Sequence, residues 1–146
     1  MLVRLLYASR AVAAATTGRP DAELLGAILR QSQANNPKCG VTGLLCFSGS
    51  VFLQVLEGGR DCVNALYRRI CADARHTDVV LLVYEEVCER RFGGWSMGRV
   101  DLARLNPALL LKYSETTALD PYAMSGRASM ALFEELVATA SVSGCA

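Results

Sequence analysis

Hydrophobic and polar residues follow two periodicities along most of the chain, one typical of strands and the other of helices. Alternating or continuous apolar stretches predict five strands, at residues 2–9, 40–47, 51–57, 79–88 and 94–101. Two stretches with helical spacing lie between them, one from Pro20 to about residues 35–37 and the other at about residues 60–73. The order β-α-β-β-α-β-β is that of a ferredoxin-like α+β fold. A mixed sheet should carry both helices on one face, because such crossovers are right-handed.

The pattern changes after about residue 103. Residues 109–111 suggest a short helix, and residues 129–140 form an amphipathic helix with apolar positions at Met130, Phe133 and Leu136. We therefore expect a folded domain at residues 1–102 and a helical C-terminal extension at residues 103–146.

Composition narrows the class of protein. The 146 residues are 52% hydrophobic and 20% charged, which favours a packed core over disorder. The net charge of +1 argues against a nucleic-acid surface, and no run approaches the ~20 apolar residues of a membrane span.

The cysteines form no C-x-x-C pair; they are Cys39, Cys46, Cys62, Cys71, Cys88 and Cys145. Most fall inside predicted strands or helices, so we expect reduced core residues of a cytoplasmic protein, without disulfides. The only histidine is His76, which weakens a metal site further.

The stretch VFLQVLEGG, residues 51–59, places Gln54 inside an apolar strand. Both faces of this strand are hydrophobic, so the amide should be buried, and an unpaired buried amide costs about 1–3 kcal/mol. Tyr7 lies in a similar apolar strand, and Asn36 follows the first predicted helix. Each has an ordinary structural explanation: a satisfied core glutamine, a core tyrosine and a helix cap. Together, on one inter-helix groove, they would form a slot for a flat heteroaromatic ring with an imide edge.

Five motifs in this order resemble the BLUF domain, a blue-light sensor using flavin. They are RLLYASR, QANNPKCGVTGLLCF, FLQVLEG, DARHTD and RRFGGWSM, and they cover about residues 1–102. The resemblance implies a non-covalent flavin between the two helices, FAD by preference, with FMN or riboflavin left open. It implies a photoreceptor and not an enzyme.

The resemblance also assigns site residues. Asn36 matches the amide at the pyrimidine edge of the flavin, and Gln54 matches the glutamine that bridges the flavin and Tyr7. Further positions implied near the flavin are Asn35, Asp73, Arg75 and His76. Trp95 and Met97 match a semi-conserved pair on the last strand that packs near the glutamine. Gly98 is a departure, since many relatives carry a long polar residue there.

The implied mechanism is transfer of an electron and a proton from Tyr7 to the excited flavin, followed by charge recombination. A changed hydrogen-bond pattern around Gln54 then survives and shifts the absorption to the red. The signal would pass through the last strand to the C-terminal helices, and from there to another copy of the chain (a homo-oligomer) or to a separate downstream signalling protein.

Two other classes remain open from the residues themselves. One is a small acylphosphatase-like hydrolase, although the stretch RAVAAATTGR lacks a compact glycine-rich anion cradle. The other is a pigment-free regulatory interaction domain. An absorption spectrum of the purified protein separates the photoreceptor from the other two classes, because only the photoreceptor is yellow and responds to light. Among colourless proteins, hydrolysis of an acyl phosphate indicates the hydrolase, and an inert protein that binds a partner indicates the interaction domain.

Overall fold

The computed structural model describes residues 1–12, 22–101, 105–139 and 142, and within these ranges it leaves the side chains of 22–24 and 101 undescribed. The strands are β1 Leu2–Ala11, β2 Thr42–Ser48, β3 Val51–Gly59, β4 His76–Val87 and β5 Gly98–Asp101. The helices are α1 Ala22–Asn35, α2 Arg60–Ala72, α3 Pro107–Tyr113 and α4 Gly126–Ala138. A 3₁₀ turn, Asn36–Cys39, follows α1 directly. The predicted start of the first helix at Pro20 lies outside the described residues.

The strands form one mixed sheet in the order β4-β1-β3-β2-β5. Neighbouring strands are antiparallel except β2 and β5, which are parallel. This is the ferredoxin-like arrangement that the sequence predicted, extended by β5. In the register of the sheet, Tyr7 of β1 lies directly opposite Gln54 of β3.

Both faces of the sheet are covered, which explains why β3 is apolar on both sides. On one face α1 and α2 pack through Ile28, Leu29 and Val63, so both helices share a face as expected. On the other face α4 buries Phe133 and Leu136 against the sheet, with α3 beside it. The described part of the C-terminal segment thus shares a core with the sheet; the division into residues 1–102 and 103–146 stays a prediction.

The last strand is shorter than expected, and β2 lies between it and β3, the strand that carries Gln54. It begins at Gly98 instead of residue 94, and it pairs with β2 at the edge of the sheet. Gly98 is buried, and a Cβ atom there would lie 2.6 Å from Leu44 Cδ2 and 2.7 Å from Val142 Cγ1. The departure at Gly98 therefore lets the edge strand pack closely on both neighbours.

The expectation of reduced core cysteines was wrong. Cys39 and Cys62 form a disulfide with Cα atoms 6.1 Å apart, because the 3₁₀ turn after α1 ends beside the first turn of α2. Cys71 and Cys88 are exposed thiols, and Cys46 is buried in the core outside the disulfide.

Candidate functional site

A cleft of about 100 Å³ lies between α1 and α2, and side chains of β1 and β3 contribute to its lining. Most of the residues that the sequence analysis singled out line it. The lining consists of Tyr7, Ile28, Gln31, Ser32, Asn35, Asn36, Gln54, Leu66, Arg69, Ile70, Asp73, Arg75 and His76. Met97 and Trp95 are not among them.

A chain of hydrogen bonds joins three buried side chains at the cleft. Tyr7 Oη donates to Gln54 Oε1, across the register that places the two residues opposite each other. Gln54 Nε2 in turn donates to Met97 Sδ at 3.2 Å. All three side chains are at least 97% buried, so the amide uses its acceptor and its donor on protein partners.

Burial further favours the protonated form of Tyr7. Removal from water raises the pKa of the Tyr7 phenol far above its usual value, and the nearby groups Tyr67, Cys71 and Asp73 raise it further. The phenol is therefore neutral at physiological pH and is the donor to the Gln54 oxygen.

Asn36 holds one end of the cleft. It is buried in the first position of the 3₁₀ turn, and its Nδ2 donates to Ser96 O at 3.2 Å. Asn35 lines the same end but is exposed.

A charged pair and a neutral imidazole lie among the other lining residues. The Arg75 guanidinium bonds both oxygens of Asp73 and also donates to Gln31 Oε1 at 2.7 Å. Hydrogen bonds from Arg75 are the main reason that the pKa of Asp73 lies below its usual value. Burial lowers the pKa of His76, whose Nδ1 lies 2.9 Å from Ser9 Oγ.

Met97 and Trp95 occupy different sides of the sheet. Met97 is fully buried with the cluster of the cleft face, whereas Trp95 packs against the cluster on the α4 face. Both precede β5, so the expectation that this pair lies on the last strand was wrong. Of these two residues, Met97 is the one that forms a hydrogen bond with Gln54.

The sequence analysis missed the contribution of helix surfaces to the lining. Ile28, Ser32 and Asn35 recur at helical spacing and share one face of α1, with Gln31 beside them. Leu66, Arg69 and Ile70 form the corresponding face of α2. Extending the apolar stripe of each helix by one turn along the sequence would have predicted the polar residues that line the cleft.

The chemistry of this lining fits a flat heteroaromatic group. Ile28, Leu66 and Ile70 supply apolar walls, and two primary amides and a phenol supply donors and acceptors at the edges. An isoalloxazine ring has these requirements, since its faces are apolar and one edge is an imide.

Comparisons with known proteins identify the family of the chain. Residues 2–98 match the BLUF family, described as sensors of blue-light using FAD. The blue light- and temperature-regulated antirepressor BluF of Escherichia coli K12 is 45% identical over 67 residues, which are 46% of this chain and 17% of the relative. The photoactivated adenylate cyclase subunit alpha of Euglena gracilis is 31% identical over 110 residues, 74% of this chain and 10% of the relative. The chain thus spans less than a fifth of the length of these curated relatives.

Solved structures of BLUF proteins match nearly the whole chain. The dark-state structure of BlrB, a BLUF protein, has a TM-score of 0.78 at 32% identity and covers 95% of this chain and 96% of BlrB. The photo-activated state of BlsA has a TM-score of 0.82 at 28% identity and covers 94% and 95% of the two chains.

The mixed sheet and the family match define the class of protein, which is a flavin-binding sensor domain. The chain belongs to the BLUF family of flavin-binding blue-light sensors. The matched residues form a sensor domain of this family, and the comparisons do not support the hydrolase alternative. Among the described residues, no helix combines the length and apolar character that crossing a bilayer requires.

Proposed function

We propose that Tyr7, Gln54 and Met97 are the photoactive unit of this sensor and that its flavin is FAD. The observation that carries the proposal is the placement of the Gln54 amide. Its oxygen accepts from Tyr7 and its nitrogen donates to Met97, and no partner of the amide is exposed to water.

The flavin, when bound and excited by blue light, supplies a strong one-electron oxidant. Tyr7 is the electron donor, because it is a buried phenol in the wall of the cleft. A phenol that loses an electron becomes strongly acidic, and Gln54 Oε1 is the acceptor already in place for its proton. Tyr7 regains both when the charges recombine.

The hydrogen bonds of the Gln54 amide stay changed after the charges have recombined. If the Gln54 amide flips, so that its oxygen and nitrogen exchange places, the oxygen faces Met97 Sδ. A thioether has no proton to donate to that oxygen. Rotation therefore breaks the Gln54–Met97 bond, and tautomerisation alters it by removing one proton from the nitrogen. Either change displaces the residues that precede β5.

The remaining cleft residues hold the cofactor. Asn36 suits the imide edge because a primary amide can donate and accept side by side, with Asn35 as its neighbour at that end. Asp73, Arg75 and His76 contact the flavin elsewhere in the cleft. Arg69 and Arg75 are cations suited to phosphate groups, which supports FAD or FMN over riboflavin. The family description, which names FAD, favours FAD.

The output runs through the C-terminal helices to a second copy of the chain or to a separate signalling protein. The relatives named above include an antirepressor and a cyclase subunit, so light sensing in this family is connected to different effectors. Co-purification and light scattering with lit and dark protein test this part of the proposal.

A cytoplasmic location is also proposed. Cys71 and Cys88 are not disulfide-bonded, as in a reducing compartment, whereas the Cys39–Cys62 disulfide counts against a cytoplasmic location. Thiol trapping in intact cells tests the location, because a reducing compartment would keep Cys39 and Cys62 as thiols.

The deciding experiment is spectroscopic. Protein loaded with FAD should show a reversible red shift under blue light, and Tyr7→Phe should keep the bound flavin but lose the shift. Gln54→Leu should behave in the same way. Tyr67→Phe is the matched control, because the Tyr67 ring lies 5.7 Å from the Tyr7 ring, centroid to centroid, and Tyr7, not Tyr67, bonds Gln54. A Tyr7→Phe protein that photocycles like the wild type would refute the assignment.

A further inference from the structure

Glu57 lies on the same strand as Gln54 but projects to the opposite face of the sheet. Its side chain is fully buried, although a buried carboxylate is unfavourable unless charges and hydrogen bonds compensate it. The motif FLQVLEG contains both residues, and the photoactive unit uses only the glutamine.

The Glu57 carboxylate is bound on two sides. Arg4 approaches it from β1, with Nη2 at 2.7 Å and Nε at 2.8 Å from Oε2. The backbone of the connection between β4 and β5, residues 88–97, approaches it from the other side. There the Arg91 amide lies 3.1 Å from each carboxylate oxygen and the Phe92 amide 2.6 Å from Oε1.

This β4–β5 connection also carries Met97. Near its far end the Asn36 side chain bonds Ser96 O at 3.2 Å, and Gln33 Nε2 bonds Met97 O at 3.2 Å. Two glycines, Gly93 and Gly94, lie between the far end and Phe92. The Gly43 amide also donates to Trp95 O at 3.1 Å. With Arg91 and Phe92 held by Glu57, only a short segment lies between the two fixed parts of the connection, and a shorter free segment loses less entropy on closing.

The same connection contacts α4. The Phe92 ring packs edge-on against Phe133 with centroids 6.2 Å apart, and Arg91 forms an ion pair with Glu134. One carboxylate therefore holds the point at which the connection leaves the sheet and meets the C-terminal helix.

We infer that Glu57 is a positioning residue for the light reaction: it anchors the β4–β5 connection so that Met97 meets the Gln54 amide. Glu57 touches neither the amide nor the cleft and acts through the backbone of Arg91 and Phe92. This inference rests on the proposed function, since it concerns the same Gln54–Met97 contact.

The test measures the rate of thermal return from the lit to the dark state in FAD-loaded protein. Glu57→Gln keeps the shape of the side chain but removes its charge and one acceptor, and it should change the rate by about threefold or more. Glu85→Gln is the matched control. Glu85 is the second carboxylate on Arg4, at 3.0 Å, and Glu57, not Glu85, accepts the bonds from Arg91 N and Phe92 N. Its rate should stay within about 1.5-fold of the wild type.

A second background separates positioning from a general effect on folding. Met97→Leu removes the sulfur acceptor and keeps a similar volume. If Glu57 acts through Met97, Glu57→Gln should leave the recovery rate of the Met97→Leu protein nearly unchanged. An equal change in both backgrounds, or no change in the wild-type background, would overturn the inference.

A measurement on the unaltered protein decides the matter if a variant does not fold or does not photocycle. The Phe92 amide should exchange slowly with solvent in both the dark and the lit state, while the resonances of Met97 shift on illumination. Rapid exchange of Phe92 in either state means that Glu57 does not anchor the connection. A wild-type protein without any reversible red shift, in contrast, would refute the proposed function itself.

Discussion

The Cys39–Cys62 disulfide joins the 3₁₀ turn after α1 to α2, and both helices line the cleft. Cys39 ends the 3₁₀ turn that begins with Asn36, and Cys62 lies in the first turn of α2. Reducing this bond should therefore lower the stability of the fold and loosen the segment that holds Asn36.

The size of the effect follows from the length of chain that the disulfide closes. The two cysteines are 23 residues apart. A cross-link of that span removes roughly 3.4 kcal/mol of conformational entropy from the unfolded chain in the chain-entropy account. For a chain of this size, that stabilisation corresponds to about 10 °C in the midpoint of thermal unfolding.

The assay is thermal unfolding at a fixed FAD concentration, followed by circular dichroism with and without a phosphine reductant. Cys39 is exposed, so the reductant can reach it. The wild-type midpoint should fall by about 10 °C on reduction. Cys39→Ser should unfold at the lower midpoint and not respond to reductant. Cys71→Ser is the matched control, because it removes an exposed free thiol and should keep the full response.

Two results would contradict this reasoning. One is a wild-type midpoint that does not move on reduction, which would mean that removing the cross-link does not raise the conformational entropy of the unfolded chain. The other is a Cys39→Ser protein that still responds, which would place the reducible bond elsewhere.

Three further outcomes follow from the structure. Gly98→Ala should destabilise the fold by about 1–3 kcal/mol in urea unfolding, because its Cβ meets Leu44 and Val142; an unchanged midpoint would mean that the edge strand yields freely. Asn36→Ala should raise the dissociation constant for FAD in a fluorescence titration, while unchanged affinity would remove Asn36 from the cofactor contacts. Burial lowers the pKa of His76, so the unfolded chain binds the proton more tightly. The free energy of unfolding should therefore carry no penalty from His76 above about pH 6.5, and it should fall as the pH drops below that value. His76→Gln should remove that part of the slope, and an identical slope in both proteins would show that His76 does not cause it.

The order of elements could be predicted from periodicity because each strand and helix carries its own pattern. The boundaries could not. β4 begins at His76 instead of residue 79, and β5 begins at Gly98, since pairing with β1 and β2 decides where each strand starts.

The cleft was partly predictable for a different reason. Tyr7, Asn36 and Gln54 came from motifs whose resemblance is specific, and the structure brings them to one cleft. The positions of Met97 and Trp95 depend on how the β4–β5 connection is held, and that depends on the carboxylate of Glu57, which is distant in sequence. The disulfide was missed because its partners lie on different elements and no local spacing reports their proximity.

The facing positions of Tyr7 and Gln54 in neighbouring strands have an evolutionary consequence. Their contact is determined by the ladder of backbone hydrogen bonds between β1 and β3, not by the number of residues that separate them. Insertions or deletions at the exposed hairpin tip around Gly49 would leave the phenol and the amide face to face. Turns of different length are therefore compatible with the Tyr7–Gln54 contact, whereas a one-residue slip between the two strands would separate the two side chains.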